Sequence, residues 1–70
     1  MNWIELPKQF PEENETVMLK IHITSAIGNY IDKEDTVLAT YKNKKWIIDG
    51  KELIENDYPI MRKPIAWNKD

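Results

Sequence analysis

Seventy residues make one domain and leave no room for two, and a chain of that size buries only about 60% of the surface its unfolded form exposes. With no cysteine and one histidine, disulfides, thiolate zinc sites and an imidazole-rich metal site within one chain are excluded, which leaves packing around the tryptophans, self-association, or both to supply stability. Ten basic residues against twelve acidic ones, net −2, argue against a nucleic-acid polymer as partner, because that needs a basic face to displace counterions from phosphates.

At 31% charged and 41% hydrophobic the chain reads as globular rather than disordered. Its first ten residues lack the basic segment and apolar run of a signal peptide. No apolar run approaches the roughly 20 residues needed to span a bilayer. A soluble, cytoplasmic protein with no membrane contact is therefore expected. The sequon at Asn14-Glu15-Thr16 is a chance match in that setting.

In chain order, residues 7–15 carry two prolines and an acidic run, which predicts an irregular arm or a single helical turn. From Thr16 to Thr24 the apolar residues Val17, Leu19, Ile21 and Ile23 alternate with Thr16, Met18, Lys20, His22 and Thr24. That period of two, rich in β-branched types, predicts a half-buried strand. Residues 25–35 are polar, with Gly28 and Asn29 as turn formers, and read as an exposed excursion of the kind that often carries binding. Asp35–Tyr41 predicts a second strand, with Val37, Ala39 and Tyr41 on one face. Asn43 suits a tight turn because asparagine tolerates positive φ, and Lys45–Ile48 returns with Trp46 set against Tyr41. Asp49-Gly50 is the strongest short hairpin signal, leading into a short strand over Lys51–Ile54. Asn56-Asp57-Tyr58-Pro59 reads as a break, and Pro64 restricts any last strand to an edge at Ile65–Trp67. The predicted fold is mainly β: a single antiparallel meander over residues 1–70, four to five strands, curled or barrel-like, with an irregular N-terminal arm anchored by Trp3.

Trp3-Ile4 is followed by Phe10-Pro11-Glu12-Glu13, then Val17-Met18-Leu19, Ala39-Thr40-Tyr41 before Trp46, and Ala66-Trp67 near the C-terminus. This arrangement resembles, over nearly the whole chain, a family of very short phage and prophage proteins known as domain of unknown function 551. Phe10 stands where that family has leucine. Asn68-Lys69-Asp70 replaces the family's Met-Pro-Leu-Pro tail, so no role of the tail carries over. The resemblance implies a bacterial or phage origin and a cytoplasmic life, and it implies no activity.

A catalytic histidine needs a nucleophile or an orienting carboxylate in reach. Nothing near His22 in sequence supplies one, although strand neighbours could, so it reads as an exposed strand residue. The carboxylates form two clusters, Glu12, Glu13 and Glu15, then Asp32, Glu34 and Asp35. Paired carboxylates can serve glycoside chemistry or bind hard cations, but Asp32–Asp35 lacks the spacing and glycine of a calcium loop. Charge at strand ends ordinarily discourages edge pairing. Trp3, Tyr41, Trp46 and Trp67 are expected in the core. Tyr30 and Tyr58 are expected to be exposed. Either tyrosine beside Lys42, Lys44, Lys45 or Arg62 would make a docking or base-stacking surface. With only Gly28 and Gly50, no phosphate-cradling loop exists. No catalytic residues, metal or cofactor are assigned, and no enzyme is expected.

The leading expectation is a phage- or prophage-encoded accessory protein binding a host protein stoichiometrically. The alternative is a nucleotide-type ligand binder acting as a homo-oligomer, because one chain this small can hardly enclose a pocket of roughly 300 Å³. A carboxylate-based hydrolase ranks last.

Overall fold

The computed structural model describes residues 2–25, 27 and 31–69. Among the described residues, seven strands form one antiparallel sheet: β1 (Ile4–Glu5), β2 (Glu15–Ser25), β3 (Asp32–Lys42), β4 (Lys45–Ile48), β5 (Lys51–Glu52), β6 (Asn56–Asp57) and β7 (Ile60–Asn68). The order is β1-β7-β2-β3-β4-β5, with β6 also on β7. No helix occurs among the described residues.

The alternation along β2 decides the inner face. Val17 stands opposite Ala39, and Leu19 opposite Val37; on the other side Leu19 stands opposite Trp67. Val17, Leu19, Ile21, Ala39, Trp46 and Trp67 are the buried cluster. Each large aliphatic or aromatic side chain so buried contributes about 1.5–3 kcal/mol. The N-terminal arm lies over this face. Leu6 N donates to Ile65 O at 3.0 Å, the Trp67 indole N–H donates to Gln9 O at 2.7 Å, and Phe10 stacks on Tyr41, centroids 5.5 Å apart. Tyr41 in turn meets Trp46 at 4.9 Å. Trp3 departs from its expected place in the core. It is half-buried, with the Lys20 ammonium 4.4 Å from its ring centroid, and Lys20 belongs to the outer face of β2.

Both short turns form as their residues dictate. Asn43 and Lys44 have φ of 52° and 63°, and Asp49 and Gly50 have 53° and 76°, the left-handed pair a type I′ hairpin requires. Elsewhere pairing overrides local signals. β3 begins at Asp32 rather than Asp35, because Asp32, Lys33 and Glu34 pair with Thr24, Ile23 and His22. Asn56-Asp57 is a strand, not a break, and Tyr58-Pro59 is the turn into β7. β7 runs nine residues and lies inside the sheet, between β2 on one side and β1 and β6 on the other. Pro64 is accommodated because the register shifts between Lys20 and Ile21, leaving Ile65 as an extra residue; a bulge is where a strand can lack an N–H.

β5 stops at Glu52 because Leu53 turns in to pack against the core. Leu53 N donates to Trp46 O at 2.7 Å, and Arg62 N donates to Glu55 O at 2.8 Å. Leu53–Glu55 thus straps the inner face from β4 to β7. The sheet is curled, and it does not close into a barrel.

Candidate functional site

β3 is eleven residues long, but β4 pairs only with Thr40, Tyr41 and Lys42. Among the described residues, no strand covers Asp32–Ala39 on the side away from β2. The hairpin fixes which backbone groups face that gap. Lys42 and Lys45 flank a two-residue turn and exchange both bonds, so alternate residues from Lys42 toward Asp32 point the same way. Tyr41 O and Ile31 O, of the opposite parity, accept from Asn14 N and Ser25 N on the β2 side. The N–H and C=O groups of Leu38, Thr36, Glu34 and Asp32 therefore point outward along an open edge. One of these donors is held: Thr36 N bonds its neighbour's carboxylate, Asp35 Oδ1, at 3.0 Å.

Beside this edge, on the inner face, lies a groove of about 340 Å³. Its floor is Ile21, Ile23 and Val37, its far wall Ile48, Leu53 and Ile54, and charges of both signs stand on its rim, Asp35, Glu52 and Asp57 with Lys51 and Arg62. Ile54 is 59% exposed, and Leu38, on the outer face of the same edge, is 64% exposed. Apolar side chains thus flank the free backbone on both faces. Asp32, Glu34 and Asp35 outnumber Lys33 there, so the edge is acidic.

The sequence-derived candidates fall at different places. Lys42, Lys44 and Lys45 surround the β3–β4 turn, where Lys45 pairs with Glu52 at 3.3 Å. Arg62 lies opposite Ile23, roughly 30 Å away along the strands, and bonds Asp57 at 3.2 Å. Tyr58 is 66% exposed in the β6–β7 turn, at the Arg62 end. Tyr30 lies outside the described residues, as do Gly28 and Asn29. The structure thus brings Arg62 and Tyr58 to one end and the lysine hairpin to the other.

The strand register also supplies His22 with a partner. Its Nε2 is hydrogen-bonded to Asp32 Oδ1, both side chains being about half exposed. Glu34 and Lys63 are its direct cross-strand neighbours. Among the described residues no hydroxyl bonds this imidazole, so the pair lacks an assembled nucleophile. Nor do three or more His, Asp or Glu side chains gather as a metal site among those residues. Val37, Leu38 and Ile54, which build the edge and groove, were not singled out by sequence as a site, and Asp35 was weighed there only as one of an acidic cluster. The available signal was the mismatch between a long β3 and a short β4.

Comparison with protein-family models, with curated proteins and with solved structures finds no match to this chain.

Proposed function

We propose that this protein is a binding module, a phage- or prophage-encoded accessory protein that associates stoichiometrically with a host protein and performs no chemistry itself. The observation that carries the reading is the uncovered β3 edge, with the apolar groove on one face and Leu38 on the other. Unpaired strand edges are templates for another chain, and recognition by strand addition needs only such an edge and pockets beside it. The phage origin rests on the resemblance of the Trp3-Ile4, Phe10-Pro11 and Ala66-Trp67 motifs alone. Nucleotide binding has less support: Tyr58 shares its end of the sheet with Arg62, but that guanidinium is bonded to Asp57, and the lysine hairpin lies at the opposite end.

Native mass spectrometry of the tagged chain recovered from host lysate tests this. The expected result is a complex of fixed stoichiometry with one protein. Repeated recovery of the bare chain would sink the proposal, and recovery with a few hundred daltons of added mass would replace it with the ligand reading.

A further inference from the structure

Building on the binding-module reading, we infer that the partner contributes an extended segment that adds as a new strand along Asp32–Ala39, and that this segment alternates aliphatic residues with lysine or arginine. The outward N–H and C=O groups of Glu34, Thr36 and Leu38 supply the ladder. An added strand sends successive side chains to opposite faces, so every second one reaches the groove floored by Ile21, Ile23 and Val37. The others lie over Leu38 on the outer face.

Charge selects among possible strands. Within residues 32–39, Asp32, Glu34 and Asp35 stand against one cation, Lys33, and in the adjoining groove Glu52 and Asp57 balance Lys51 and Arg62. A second copy of this chain, pairing edge to edge, would bring two net-negative segments within one strand spacing, and their mutual repulsion opposes it. A basic segment meets them favourably. The same residues therefore repel self-association and favour one class of partner, which is how specificity by exclusion works. Asp35 adds a latch. Its carboxylate holds Thr36 N at 3.0 Å, and an incoming carbonyl takes over that donor, while the basic side chains of the new strand, on the outer face, meet Asp32 and Glu34.

The test is selection of a yeast-displayed library of random octapeptides against the immobilised full chain. Two variants serve as controls. Thr36→Pro removes one outward donor and sets a ring on the edge without touching the β2 ladder, a position where proline is tolerated. The double variant Glu34→Lys, Asp35→Lys reverses the charge. The expected result is enrichment of peptides alternating aliphatic with basic residues. These should bind Thr36→Pro about tenfold or more weakly, and the charge-reversed chain should select acidic peptides instead. Circular dichroism establishes that each variant is folded; if Thr36→Pro is not, the charge reversal decides alone. Failure to enrich any pattern, peptides that bind Thr36→Pro as well as the parent, or a preference unmoved by charge reversal would each overturn the inference. The two levels separate in host lysate. A stoichiometric complex retained by both variants removes the strand-addition inference and leaves the binding-module reading standing, whereas no complex with the parent chain removes that reading itself.

Discussion

Glu15 opens β2 and joins the two ends of the chain's folded core. One carboxylate oxygen accepts the Glu12 N–H at 3.0 Å, and the other lies 2.8 Å from the Lys69 ammonium. Lys69 first, and the Glu12 N–H second, hold the Glu15 carboxyl below its ordinary value of 4.5, while Glu15 pushes the Lys69 ammonium above its own. A carboxyl depressed on folding contributes stability that is full above its unfolded value and disappears as pH falls through the folded one. Glu15→Gln is therefore expected to lower Tm at pH 7. Its Tm should converge on the parent's as pH drops below 4.5, and added salt should shrink the gap, because Lys69 is exposed. Thermal melts by circular dichroism across that range check this; parallel curves down to strong acid would contradict it. Nothing in the sequence pairs these two residues. Glu15 reads there as one of three clustered acids and Lys69 as part of a polar tail, and only the closure of β7 onto β2 brings them together.

The two tight hairpins are the elements whose conformation follows most directly from local residues, yet they are not equally well made. Gly50 takes its φ of 76° freely, and a Cβ there would meet nothing within 4 Å, so Gly50→Ala is expected to lose about 1 kcal/mol through backbone strain alone. Lys44 occupies the matching position with φ 63°. Left-handed backbone costs a side-chain-bearing residue about 1–2 kcal/mol, and glycine gives back about 0.5–1 kcal/mol of that in unfolded-state entropy. Lys44→Gly, which creates Asn-Gly, should stabilise by about 0.5–1 kcal/mol. Urea denaturation of both variants reads the opposite signs, and a loss from Lys44→Gly would show that its side chain has a role in the fold. The β2 alternation and both turns were legible for this reason: period and positive-φ chemistry are local. The start of β3, the strand at Asn56-Asp57 and the interior placement of β7 were not, because cross-strand partners distant in the chain supply them. The open edge falls between the cases. Sequence shows β3 and β4 as strands, but only the pairing of β4 with no more than Thr40, Tyr41 and Lys42 reveals how much of β3 is left uncovered.

Two leucines on neighbouring strands show what holds the whole molecule together and which face it leaves to others. A 70-residue domain has roughly 3.5–10 kcal/mol of stability at the usual 0.05–0.15 kcal/mol per residue. Leu19, 0% exposed, sits between Val37 and Trp67, where the curled sheet, the N-terminal arm and the Leu53–Glu55 strap enclose the core. Its truncation to alanine removes buried surface and leaves a cavity, a loss of about 2–5 kcal/mol. That is a large share of the total, so Leu19→Ala should populate unfolded chain at room temperature. Leu38 lies opposite Met18 on the other face and is 64% exposed; Leu38→Ala should stay within about 0.5 kcal/mol of the parent. Urea titration followed by tryptophan fluorescence suits both variants, since Trp46 and Trp67 are buried and report loss of the core. If Leu38→Ala proves as destabilising as Leu19→Ala, the outer face is covered in solution. The β3 edge would then be occupied by another copy of the chain rather than free for a partner. A near-neutral Leu38→Ala that nonetheless weakens binding of the selected peptides would place this leucine where the edge geometry has it, outside the fold and inside the interface.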